Sequence, residues 1–216
     1  MKIRDLSPRA EFFLIVAICF GYFICNSAIV LLLRIHRFEM TTGRVLRGTA
    51  VELLSLALAG WILHQRGWTL RPMGRFSFAA ALAGVPLAIG YFILYFLAAF
   101  SVMSLFPGTR NLTSIAMVQR AAPAAMLVFV VVNSFFEELA VTGYVVSALS
   151  QEGMAFAVTA STLLRFLYHL YQGPVASLSI LPLGMLFACV YWRWRNLWPL
   201  VVAHTIANLV VMFATR

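Results

Sequence analysis

Pro123-Ala124-Ala125-Met126-Leu127-Val128-Phe129-Val130-Val131-Val132-Asn133-Ser134-Phe135-Phe136-Glu137-Glu138-Leu139-Ala140-Val141-Thr142-Gly143-Tyr144 is the tract on which the fold turns. It opens on a proline, stays apolar for most of its length and carries two adjacent carboxylates in its second half. A hydrocarbon core of about 30 Å takes roughly 20 apolar residues as a helix. Extended to 123–149, this tract meets that ruler, and similar runs lie near 11–33, 49–64, 77–106, 153–172, 174–192 and 197–214. They are too long and too uniformly apolar for the alternating strands of a membrane barrel. The expected fold is all-α, a polytopic transmembrane helical bundle of about seven spans. One integral membrane domain is expected over 1–216.

Composition points the same way. The 216 residues are 62% hydrophobic and 11% charged, with a mean hydropathy of +0.92. Soluble domains carry about 45–50% apolar and about 25% charged residues. Charge this scarce could not coat a soluble globule, which excludes a cytosolic enzyme, a disordered tail and a disulfide scaffold. The net charge of +9 suggests nucleic acid at first sight. The cations fall between apolar runs, however: Lys2, Arg4 and Arg9, then Arg34, Arg37, Arg44 and Arg47, then Arg66, Arg71 and Arg75. Such residues anchor spans at lipid head groups, so the expected partner is the bilayer and not nucleic acid. They divide almost evenly between the two sides, so the positive-inside rule selects no orientation.

Smaller signals fit this frame. Cys19, Cys25 and Cys189 lie inside apolar runs without a Cys-x-x-Cys pair and read as packing residues. The first run is longer than a signal peptide's apolar region and lacks a cleavage site, so it is expected to stay attached. Pro123 and Pro199 sit at span starts, whereas Pro86 and Pro182 lie inside spans and should kink them. Tyr191-Trp192-Arg193-Trp194-Arg195-Asn196-Leu197-Trp198 reads as an interfacial belt. The Asn111-Leu112-Thr113 sequon matters only in a eukaryotic secretory setting.

Ionisable residues inside spans are expensive and call for a functional reading. Glu137 and Glu138 point about 100° apart on a helix. Two carboxylates in an apolar setting do not both ionise easily, and one so placed can take a proton from water. The alternative is a structural knot between helices. His204 and Asn208 share a helical face and could donate to a developing oxyanion, or clamp two helices together. His169 shares a face with Arg165, and taken alone a histidine near a span end is more often an interfacial hydrogen-bonder than a catalyst. Glu52, three residues into a span begun at 49, reads as an anion in the helix's first turn. Together, two glutamates, a histidine on the next span and His-x-x-x-Asn two spans later describe peptide hydrolysis by activated water.

This constellation resembles the CAAX protease and bacteriocin-processing family of intramembrane peptidases, also called CPBP or Abi. The family's Glu-Glu-x-x-x-Arg-Gly motif appears as Glu137-Glu138-Leu139-Ala140-Val141-Thr142-Gly143, and its His-x-x-x-Asn/Asp motif as His204 to Asn208. The Phe-x-x-x-His motif is looser, because Arg165 occupies the Phe place before His169 and Phe166 follows it. The resemblance covers about residues 123–214. It implies that Glu137 and His169 activate water, that His204 and Asn208 stabilise the oxyanion, and that Glu138 braces the site. The motif arginine that normally pairs with such a brace is replaced by Thr142. Arg165, one helix away, is the expected substitute. The resemblance also implies a membrane-delivered peptide or lipidated protein as substrate, and a bacterial cytoplasmic membrane as the location.

Two questions stay with the reading. Glu137, His169 and His204 could give Zn2+ three ligands, but Asn208 suits an oxyanion better, so no cofactor is favoured. The loss of the motif arginine also leaves a non-catalytic alternative: a membrane binding, immunity or chaperone-like protein of the same fold. A proton-coupled transporter would call for pseudo-repeats, and the sequence offers none. Counting 1.5 Å per residue from a start at 153 sets His169 more than about 10 Å from the level of Glu137 and His204. The fifth helix is therefore expected to begin deeper, near Ser161, or to be broken or tilted.

Overall fold

A computed structural model of the chain describes residues 3–33, 35, 37–110 and 116–214. Lys2, Arg34, Arg216 and the Asn111–Thr113 sequon lie outside the described residues. Helix α1 covers Pro8–Leu32 and α2 covers Thr42–Gln65, with strand β1 at Arg37–Thr41 between them. Then come α3 (Phe78–Leu82), α4 (Gly84–Leu105) and strand β2 (Ala116–Arg120). The C-terminal part holds α5 (Pro123–Glu137), a π-helical stretch at Glu138–Tyr144, and α6 (Val145–Ala148). It continues with α7 (Met154–His169), α8 (Pro174–Ser179), α9 (Leu181–Trp194) and α10 (Trp198–Ala214).

The architecture is an all-α bundle. Five of the described helical runs are long and apolar enough to cross a membrane: 8–32, 42–65, 78–105, 123–148 and 174–194. Trp198–Phe213 is a shorter apolar helix and α7 has 16 residues, so the expected seven spans are an approximate count. Large side chains on α2 and α4 point away from the protein, among them Leu54, Trp61, Ile93, Phe96 and Phe100. An isolated surface of that kind belongs in lipid.

Three departures from the apolar runs have physical causes. Helix α2 begins at Thr42, with Thr41 Oγ1 accepting from the Arg44 backbone N–H. A hydropathy ruler stops at the apolar core, whereas the helix continues through Arg44 and Arg47 toward the head groups. Strands β1 and β2 form a short parallel pair, Arg37 opposite Ala116 through Thr41 opposite Arg120, joining two connections that read as loops. Breaks also fall just before the internal prolines, between α3 and α4 ahead of Pro86 and at Ile180 ahead of Pro182. A proline ring clashes with the carbonyl four residues back, so the turn opens upstream of it.

Helix α10 packs against α4 and α5, α7 against α9 and α1, and α2 against α5. Gly84 permits the α4–α10 approach: a Cβ there would meet the Pro199 carbonyl oxygen and Val202 Cβ at 2.7 Å. Serine hydroxyls tie the helices to one another at buried carbonyls. Ser27 Oγ donates to the Tyr168 carbonyl at 2.6 Å, and Ser161 Oγ to the Val141 carbonyl at 2.9 Å, within the π-helical stretch. In the interfacial belt, the Arg195 guanidinium lies 4.8 Å from the Trp192 ring centroid.

Candidate active site

Helix α5 carries Asn133 and Ser134 side by side and Glu137 one turn later, and the π-helical stretch follows at Glu138. Single π turns inside α-helices concentrate at functional sites, because widening the helix re-aims its side chains. Gly143 stands where that widened stretch meets Leu197: a Cβ there would lie 2.8 Å from Leu197 Cδ1. The motif glycine thus serves close packing.

Arg165 on α7 reaches both glutamates. Its Nη1 donates to Glu137 Oε2 at 3.1 Å and its Nη2 to Glu138 Oε1 at 2.8 Å. The guanidinium is 5% exposed as a residue and Glu138 is fully buried. Thr142 fits into the same arrangement. Its hydroxyl donates to Glu138 Oε2 at 2.7 Å and accepts from Arg165 Nη2 at 3.2 Å. Charge-assisted pairs in a dry site are strong only when each partner's remaining groups are also satisfied, and both oxygens of Glu138 accept here.

His204 on α10 completes this knot. A carboxylate only accepts, so the 2.8 Å contact between His204 Nδ1 and Glu138 Oε1 is an N–H donation. That bond turns Nε2 toward Glu137, whose Oε2 is 4.0 Å away. Glu137 is further held by Tyr168, whose hydroxyl donates to Oε2 at 2.5 Å, and by Asn133 Nδ2, which donates to Oε1 at 3.1 Å. The Tyr168 ring stacks on Phe20 at 5.1 Å between centroids, fixing the hydroxyl.

His169 ends α7, where a 3-10 turn at Leu170–Gln172 and Gly173, at φ 88°, redirect the chain into α8. Helix α7 runs unbroken from Met154 to His169, so of the alternatives drawn from depth neither a start near Ser161 nor a break ahead of His169 is found. The His169 ring nitrogen Nδ1 lies 2.9 Å from the Arg165 carbonyl oxygen. A carbonyl accepts, so Nδ1 carries the proton and Nε2 is left as an acceptor. Arg165, His169 and His204, with Tyr91 and Phe187, line a small cavity of about 20 Å3. That volume holds one water molecule.

Asn208 lies one turn beyond His204, as the spacing requires. Its Nδ2 donates to Asn133 Oδ1 at 3.1 Å and to Ser134 Oγ at 3.4 Å. Asn133 is therefore a hub: it also donates to Glu52 Oε1 at 2.8 Å. Glu52 is not an anion of the first turn, because α2 begins at Thr42 and runs about three turns before reaching it. Asn133 and Tyr168 lie within the sequence stretches that carry the motifs, yet no pattern marked them. Neither is ionised near neutral pH, and only their distance from Glu137 reveals them.

A cavity of about 400 Å3 opens beside Glu137, lined also by Glu52, Asn133, Tyr168, His169 and Tyr171. A second, almost wholly apolar cavity of about 410 Å3 lies between α1, α2 and the π-helical stretch and touches none of the candidate residues. The donor set does not fit zinc. No group of three or more His, Cys, Asp or Glu is placed to hold a metal ion among the described residues. Glu137 Oε2 is taken by a guanidinium and a phenol, and a guanidinium at 3.1 Å repels a dication.

Residues 119–210 match the family described as Type II CAAX prenyl endopeptidase Rce1-like. No curated protein and no solved structure matches the chain.

Proposed function

Residues 119–210 are an Rce1-like domain of the CAAX protease family, and from that premise we propose that this chain hydrolyses a peptide bond within the membrane with water activated by Glu137 and His169. The match over residues 119–210 supports a protease that works in lipid on a peptide substrate, and the helical runs long and apolar enough to cross a membrane fit that setting. We take the whole chain as one unit, with 123–214 as its catalytic core. The observation that carries the reading is the meeting of Glu137, Arg165 and His204 from three separate helices beside a peptide-sized cavity.

In this mechanism Glu137 accepts a proton from water, which His169 Nε2 orients, and the water oxygen attacks the scissile carbonyl carbon. The negative charge that develops on the carbonyl oxygen is met by His204 Nε2–H and by Asn208 Nδ2–H. His204 Nδ1–H is already committed to Glu138, so donation from Nε2 uses the imidazolium, balanced by the two carboxylates beside it. Asn208 exchanges its longer contact, 3.4 Å to Ser134, for the oxyanion. The carbon–nitrogen bond then breaks, and the amine leaves with the proton held by Glu137. Glu138, Arg165 and Thr142 touch no reacting atom and act as positioning residues.

The test is cleavage of a peptide library, lipidated and unlipidated, by the protein in liposomes. Hydrolysis is expected to survive EDTA and 1,10-phenanthroline and to be lost in His204→Ala with the fold retained. Activity that disappears on chelation and returns with added zinc contradicts the metal-free mechanism. No cleavage of any peptide by the wild type would favour the non-catalytic reading.

A further inference from the structure

Glu52 takes part in none of these steps, yet it is one of the most deeply buried polar side chains of the protein, 1% exposed on the face of α2 turned to α5. Its Oε1 accepts from Asn133 at 2.8 Å, and its Oε2 has no hydrogen-bond partner among the described residues. An open buried acceptor is costly, more so when charged. A carboxylate in that condition beside a reaction centre points to a donor that arrives with the ligand.

The surroundings say what kind of donor fits. Glu52 lines the same cavity of about 400 Å3 as Glu137, Asn133 and His169. On α2, Arg44, Gly48 and Glu52 recur every fourth residue and form one stripe along that cavity. Gly48 has no side chain at the middle of the stripe, and the nearest neighbour to a Cβ there would be Phe129 at 3.6 Å. This leaves room for a main chain to lie close to α2. A peptide drawn into the cavity must be extended to expose its scissile bond, and inside a bilayer its N–H groups have no water to bond. A carboxyl oxygen with no partner of its own can accept from such a group.

We propose that Glu52 is a substrate-binding residue whose Oε2 accepts a hydrogen bond from a main-chain N–H of the peptide lying along the Arg44–Gly48–Glu52 stripe. Its Oε1 stays on Asn133 and so couples the bound peptide, through one amide, to Glu137 and Asn208. The inference rests on the peptide-hydrolase reading and names how that site holds its substrate.

An ester scan in proteoliposomes tests it. A peptide cleaved by the wild type is resynthesised with single non-scissile amides replaced by esters, which exchange N–H for oxygen at nearly unchanged length. In the wild type one position should cost roughly tenfold to a hundredfold in kcat/KM, as leaving a buried acceptor unpaired does. In Glu52→Gln that penalty should largely vanish, while penalties at other positions persist. A purely structural role would lower every substrate by the same factor, and equal ester penalties in the two proteins overturn the proposal. A loss in Glu52→Gln that follows a basic side chain instead of an ester position overturns the main-chain assignment. If Glu52→Gln fails to fold, Glu52→Asp withdraws the carboxyl group by one methylene while keeping its chemistry, with the same loss of penalty expected. Absence of cleavage of the all-amide peptide by the wild type fells the hydrolase reading and this proposal with it. Cleavage with unaltered ester penalties fells this one alone.

Discussion

Glu137→Gln is expected to lower kcat for peptide hydrolysis about a hundredfold to ten-thousandfold while the protein stays folded, the range for removing a general base. The substitution keeps the side chain's shape and one acceptor oxygen, which can serve Arg165 and Tyr168 in place of Oε2 but not Asn133 on Oε1 as well. It removes the atom that takes the proton from water. KM should move little, because the amide oxygen can keep the Arg165 and Tyr168 bonds and only the Asn133 contact is given up. Thermal unfolding in detergent, read beside activity in liposomes, separates the two effects. A variant that retains activity within tenfold of wild type would take Glu137 out of the chemistry.

Arg165→Met should have the larger effect on stability. Its guanidinium is the cation within hydrogen-bonding reach of both Glu137 and Glu138, and it also lies 5.8 Å from the Phe187 ring centroid. Removing one partner of a buried ion pair costs about 3–5 kcal/mol, because the other is left charged without compensation. Loss of activity together with a sharply lowered melting temperature, or failure to assemble, is the expected result. Arg165→Lys should rescue only in part, since an ammonium cannot span two carboxylates and the Thr142 hydroxyl as a planar fork does. Arg120→Ala is the control: that arginine is exposed and 3.7 Å from Glu39, a pair worth about 0–1 kcal/mol. Wild-type stability in Arg165→Met would show that Glu138 is braced by Thr142 and His204 alone.

Much of this site could be read from the chain because its chemistry is rare in lipid. Glu137, Glu138, Arg165, His169 and His204 stand out against 62% hydrophobic residues, and each such group demands a partner. The pairing of Arg165 with Glu138 followed from that demand once Thr142 was seen in the arginine's place. What stayed hidden was set by geometry without a compositional mark. The π-helical turn at Glu138–Tyr144 has no residue signature. The roles of Asn133 and Tyr168 depend on which way α5 and α7 face. Glu52 was misplaced because hydropathy locates where lipid begins, whereas α2 starts seven residues earlier, at Thr42. The parallel pairing of β1 with β2 joins segments 75 or more residues apart, which no local pattern reports.

The mechanism predicts that water itself is the nucleophile. The most direct measurement is mass spectrometry of the fragments released from a membrane-embedded peptide when wild-type protein turns over in H2(18)O, with hydroxylamine present to intercept any acyl-enzyme. Glu137-activated water predicts one heavy oxygen in the newly formed carboxylate and no hydroxamate. A hydroxamate product, or no cleavage across lipidated and unlipidated peptides, contradicts the account.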